Sequence, residues 1–213
     1  MRLTFQSLAV FALLLMPLSA TAQTNAPDLG KAPDLSKAQA FVTELSQDAI
    51  VILSGETTRA GREASFSKLL NEKANMRRIA RFTLGQFGRK ISKPDFETYQ
   101  ALLNTFIVKV YANRLGEYSD EKVIVGKAQA NKKNVIVSSR IEFANGRDPI
   151  DIDWWLRLEK DGSFTLFDVR VLGVWMALEQ RDSFASVLKN NKGDINALLA
   201  HLRNKISADP QDG

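Results

Sequence analysis

The chain has 213 residues, 45% of them hydrophobic and 25% charged, with 29 Lys and Arg against 24 Asp and Glu. That length suits one domain with a real core, and the composition is ordinary for a globular protein. The lack of cysteine excludes disulfides, thiolate metal sites and cysteine nucleophiles, and the basic residues are too dispersed for a nucleic-acid footprint.

Arg2, the apolar run Leu8–Leu15 and the small residues Ala20-Thr21-Ala22 read as a secretory signal peptide over 1–22, cleaved after Ala22. The run is well short of the roughly 20 residues a membrane span needs. An exported chain without cysteine suits a bacterial periplasm, held by its core alone. Residues 23–35 repeat the string APDL, lack apolar periodicity and read as a flexible leader. One domain is expected over 36–207, and a disordered tail over 208–213.

Ala38, Phe41, Val42, Leu45, Ala49, Ile52 and Leu53 recur at helical spacing, and Gly55 closes that helix. Arg59 to Leu70 predicts a second helix, and Asn75 caps a third from Met76 to Leu84. A long fourth helix starts behind Ser92 as N-cap, with Pro94 in the first turn, where a missing N–H costs nothing. Phe96, Tyr99, Leu103, Phe106, Val110 and Leu115 form its apolar stripe, and Gly116 supplies the stop.

Lys122 to Gln129 and Asn134 to Phe143 then read as strands around an Asn131-Lys132-Lys133 turn. Ile150 to Trp175 begins with a hairpin about Asp161-Gly162, a dipeptide that accepts positive φ. Pairing Lys160 with Ser163 sets Leu158 against Thr165, Leu156 against Phe167, Trp154 against Val169 and Ile152 against Val171. The other face pairs Asp153 with Arg170 and Trp155 with Asp168. Trp154, Leu156, Phe167, Val169 and Val171 thereby make one apolar plate, expected to face the stripe of the fourth helix. Helices at Met176–Lys189 and Asp194–Ile206 complete the chain. Helices, an antiparallel meander of about four strands, then helices predict an α+β fold with helices packed on one face of a curved sheet.

Little in the chain can do chemistry. His201 is the only histidine, on the last helix, without the partners a triad or a zinc site needs. Asp151 and Asp153 share one strand face, but Asp153 is matched by Arg170, so a solvated face is the expectation. Asp168 beside Trp155 is the one candidate for a partly buried carboxylate, expected to be a structural acceptor. Gly85-Gln86-Phe87-Gly88 lacks the strand and the Lys-Ser/Thr of a phosphate loop. Arg77, Arg78, Arg81, Arg89 and Lys90 form the best basic cluster for an anionic headgroup or acidic partner. Sheet and helix could fill the space between them with side chains or leave an apolar pocket; composition does not choose.

Several strings resemble the MlaC (toluene-tolerance) family of periplasmic phospholipid-binding proteins. They are IARFTLG from Ile79 to Gly85, the Tyr-Ala-x-Arg-Leu element from Tyr111 to Leu115, FDVRVLGV from Phe167 to Val174, and Arg181 to Phe184. Asn75, Phe87-Gly88-Arg89 and Trp175-Met176 depart from the family pattern. The resemblance implies a monomeric, non-enzymatic carrier that needs no cofactor or metal and encloses acyl chains in an apolar cavity. Its partners would be an inner-membrane ABC transporter complex with an MCE-type ring and an outer-membrane lipoprotein–porin complex. The expected lipid contacts are Phe82, Phe87, Phe106, Val110, Ile141, Trp154, Leu156, Phe167, Val169, Val171 and Trp175. Arg81, Arg89 and Lys90 are the expected headgroup or partner contacts. A hopanoid or other polycyclic lipid is an alternative ligand. A nuclear-transport-factor-like enzyme using Asp168, or an interaction protein with a filled core, is the alternative class.

Overall fold

The computed structural model describes residues 32–55, 58–114 and 121–208. The expected signal peptide, most of the leader, the Leu115-Gly116 stop and the tail from 209 lie outside these residues.

Helix α1 (Leu35–Gly55) is followed by α2 (Arg59–Lys73), α3 (Met76–Leu84), a 3₁₀ turn at Gly85–Arg89 and α4 (Lys93–Arg114). Strands β1 (Glu121–Asn131), β2 (Asn134–Phe143), β3 (Ile150–Leu158), β4 (Phe164–Val171) and β5 (Val174–Trp175) come next, then α5 (Met176–Asn190) and α6 (Ile195–Ser207). The caps read from the sequence act as such. Asn75 Oδ1 accepts from the Arg78 N–H at 3.0 Å, Ser92 Oγ from Asp95 at 3.2 Å and Asp194 Oδ1 from Asn196 at 2.9 Å. Each satisfies a donor that the first helical turn leaves without a partner.

The sheet is an antiparallel meander in the order β1-β2-β3-β4-β5. Across β3 and β4, Ile152 pairs with Val171, Asp153 with Arg170, Trp154 with Val169 and Trp155 with Asp168, as the alternation predicts. Nearer the turn the expected pairs are wrong. Leu156 meets Leu166 and Leu158 meets Phe164, because the register shifts by one between Trp155 and Leu156. The turn holds three residues rather than two: Glu159 donates to the Ser163 carbonyl at 2.9 Å, and Gly162 has φ +85°. Phe167 is the extra residue in β4, so a bulge undoes the offset that the longer turn introduces. Freed from the ladder, its ring sits edge-on to Trp155 at 4.8 Å and to Phe82 at 5.0 Å.

Helix α1 covers the sheet: Ala38 and Val42 pack against Val135, Val137, Leu156 and Phe164. Gln39 Nε2 anchors it to the Gly126 carbonyl at 2.6 Å, where β1 is irregular. Apart from Leu103, which shares a pocket with the hairpin, the stripe of α4 therefore does not face its apolar plate. Phe96, Tyr99, Leu103 and Phe106 pack instead with Ala80 and Leu84 of α3, Phe184 and Leu188 of α5, and Leu198, Leu199 and Leu202 of α6. Tyr99 and Phe106 meet the Phe184 ring at 6.2 and 6.4 Å. Two apolar cores result, one under α1 and one among α3 to α6. Ala74, Met76, Ile79, Phe167 and Ala177 form a third, smaller cluster.

Candidate functional site: an apolar pocket

A pocket of about 320 Å³ is lined from nearly every element of the domain. Leu45, Ala49 and Ile50 come from α1, and Phe66, Leu69 and Leu70 from α2. Ile79 and Thr83 come from α3, and Leu103, Ile107 and Tyr111, each four residues on from the last, from α4. The sheet contributes Val123, Ile141, Ile150, Ile152, Trp154, Leu166, Phe167, Val169 and Val171, and α5 closes the list with Met176, Ala177 and Gln180. The volume falls at the lower end of the range of ligand sites, roughly 300–1,000 Å³.

Several polar groups in this lining are committed elsewhere. Ser46 Oγ donates to the Thr43 carbonyl at 3.0 Å. Thr83 Oγ1 reaches the carbonyls of Ile79 and Ala80 at 3.0 and 3.1 Å and the Tyr99 hydroxyl at 2.7 Å. Lys73 lends its stem to the wall, while Nζ is tied to Glu44 and lies 3.7 Å from Asp48. That hydrogen bond to Glu44 raises the Lys73 pKa against the opposing effect of burial.

Asp168 is 4% exposed. Its Oδ1 accepts the N–H of Ala177 at 2.7 Å and of Val169 at 2.8 Å, while Oδ2 is buried without a hydrogen-bond partner. Burial raises its pKa, and the N–H groups of Ala177 and Val169, then of Leu178 and Met176, pull the other way. Trp175, at the N-cap of α5, offers no side-chain acceptor. Asp168 supplies that cap from the neighbouring strand, the structural role expected of it. A carboxylate held by the first turn of a helix is stabilised by the aligned N–H dipoles.

Of the lipid contacts expected from sequence, Ile141, Trp154, Phe167, Val169 and Val171 line the pocket. Phe106, Val110 and Phe87 belong to the helical core, and Leu156 to the core under α1. Phe82 packs on Phe167, and Trp175 on Trp155 at 5.7 Å. Arg81 lies over the Phe96 ring at 4.4 Å, beside Arg77 at 5.0 Å, while Arg89 and Lys90 are exposed at the 3₁₀ turn. The lining from α1 and α2 was not anticipated, since those residues read as ordinary core. One signal was available: Ile107 and Tyr111 widen the apolar side of α4 beyond its aromatic stripe, more than a helix buried on one side needs.

The family model described as MlaC protein matches residues 43–204, from within α1 to within α6. The chain belongs to the MlaC family. The MlaC-type domain is also similar to a solved structure, a phospholipid-binding protein from Ralstonia solanacearum in complex with a phospholipid. The likeness has a TM-score of 0.73 at 18% identity and covers 80% of this chain and 97% of that one, so it bears on the fold. Comparison with curated proteins returned no match.

Proposed function

We propose that this chain is a periplasmic lipid carrier that holds phospholipid acyl chains in the pocket. It exchanges them between an inner-membrane ABC transporter complex with an MCE-type ring and an outer-membrane lipoprotein–porin complex. The signal peptide over 1–22 delivers the chain to the periplasm, and the domain of residues 36–207 does the carrying. The observation that carries this reading is the pocket itself, hydrocarbon on nearly every side, with Ser46, Thr83 and Asp168 bonded back to their own scaffold. Such a wall offers a polar substrate little beyond Asp168 Oδ2 and Glu121 Oε2, each buried without a hydrogen-bond partner. To an acyl chain it offers relief from water worth about 0.8 kcal/mol per methylene. Family membership and the lipid-bound relative support the same ligand class.

Two carboxylates line the pocket among the described residues: Asp168, whose Oδ1 is engaged by α5 and which is hydrogen-bonded to no nucleophile or base, and Glu121, whose Oε1 lies 3.6 Å from the Arg147 guanidinium. Arg81, Arg89 and Lys90 remain the proposed headgroup or partner contacts. The test is uptake of labelled phospholipid from vesicles by delipidated protein, with soluble protein recovered after the vesicles are spun out. Label recovered with the protein is expected; a folded protein that never acquires label contradicts the proposal.

A further inference from the structure

Strands β4 and β5 are joined by a two-residue turn, Leu172-Gly173, between the paired residues Val171 and Val174. Both turn residues have positive φ, +49° at Leu172 and +85° at Gly173, the geometry of a type I′ turn. Asn, Asp or Gly is the usual first residue of such a turn. A leucine there pays for its Cβ in backbone strain, and a bulky residue at positive φ is an outlier worth explaining. The fold gains nothing visible in return, because the Leu172 side chain is 77% exposed. Strain retained at an exposed position points to a use outside the folded domain.

The surroundings say what that use is. Val174 and Leu178, which follow the turn in sequence, are also exposed, at 44% and 41%. Val171, Met176 and Gln180, all half-buried, line the pocket, so the turn stands at its rim. Trp175 is half-buried beneath the Arg170 guanidinium, whose carbon lies 5.4 Å from the ring. Three exposed aliphatic side chains make far less surface than the roughly 800 Å² per partner of a stable protein interface. A soft acyl layer needs no such area, and an amphipathic tryptophan suits its edge.

We propose that the Leu172-Gly173 turn is a membrane-docking tip, seating the pocket rim in the acyl layer of a phospholipid bilayer. Docking itself follows from the turn and the exposed apolar residues beside it. Only its use in lipid exchange rests on the carrier reading.

Leu172→Asn is the decisive variant, because Asn-Gly is the preferred type I′ pair and the substitution removes the apolar tip without harming the turn. The full chain is floated with vesicles of phosphatidylethanolamine and phosphatidylglycerol, and its lipid uptake rate is followed in parallel. The variant is expected to unfold at the same or a higher temperature than wild type. Its vesicle-bound fraction should fall about tenfold, what burial of one leucine is worth, and uptake from vesicles should slow with it. Leu178→Ser, on the face of a helix, should weaken flotation in the same direction. Equal flotation of wild type and L172N, no flotation of wild type, or a loss of stability in L172N overturns the proposal. So does a wild-type dimer that L172N abolishes, which would assign the tip to a second copy. Wild type that floats but takes up no lipid leaves docking intact and refutes the carrier reading instead.

Discussion

Asp168 in β4 caps α5, the helix that follows β5, its Oδ1 accepting the Ala177 N–H at 2.7 Å. Removing it with Asp168→Ala leaves the N–H groups of Ala177 and Val169 without an acceptor, at a cost of about 1–3 kcal/mol. Asp168→Asn keeps an acceptor and should lose less. The two variants should also differ from wild type in pH dependence. Burial raises the folded carboxyl above its unfolded value, so the folded state keeps its proton where the unfolded chain has released it. The stability Asp168 contributes therefore declines as pH rises from about 3.9, the unfolded value, through the raised folded one. Urea melts of wild type and D168N across that range check it: the decline belongs to wild type and vanishes from D168N.

Arg78 and Glu159 give the opposite slope. Arg78, in the first turn of α3, forms a two-pronged pair with Glu159 at the hairpin turn, and Thr165 Oγ1 donates to the same carboxylate at 2.7 Å. The hydrogen bond from Arg78 holds the Glu159 pKa below its ordinary value, against the effect of burial. Its contribution is present above the unfolded value near ~4.3 and is lost as pH falls through the depressed folded one. Arg78 is about a third exposed, so screening limits the pair to about 1 kcal/mol. Glu159→Gln should cost that amount at pH 7 and almost nothing at pH 3, read from denaturant midpoints.

Filling the pocket should separate binding from folding. Ala49 is half-buried on α1 and lines the pocket, so Ala49→Phe places a ring in the void. It is expected to cut phospholipid uptake at least several-fold while leaving the melting temperature near wild type. Phe106→Ala should do the reverse in kind: packed against Phe184 in the helical core, its loss costs about 3–5 kcal/mol of stability. Uptake assays paired with thermal melts of both variants distinguish a wall residue from a core residue.

Element type and order were readable because the signals are local. Asn75, Ser92 and Asp194 announce three helices, and alternation along Ile152 to Trp155 sets four correct cross-strand pairs. The turn beyond them was not readable. Asp161-Gly162 is compatible with a two- or a three-residue loop, and a period of two cannot reveal a bulge that later cancels the difference. Phe167 left the ladder unannounced for that reason. The pocket escaped on different grounds. Burial of Phe96, Tyr99 and Phe106 follows from the spacing on α4, but spacing does not say whether a helix or the sheet lies opposite. Leu45, Ala49 and Phe66 carry no mark that separates a filled core from an empty one, since both demand the same apolar side chains.

The most direct test of the central claim is lipid analysis of the protein purified from its native host without detergent. Organic extraction and mass spectrometry should return phospholipid in a near-stoichiometric ratio to protein, depleted in the Ala49→Phe variant. Folded wild-type protein that yields no lipid on extraction, and takes up none from vesicles after incubation, would contradict the account.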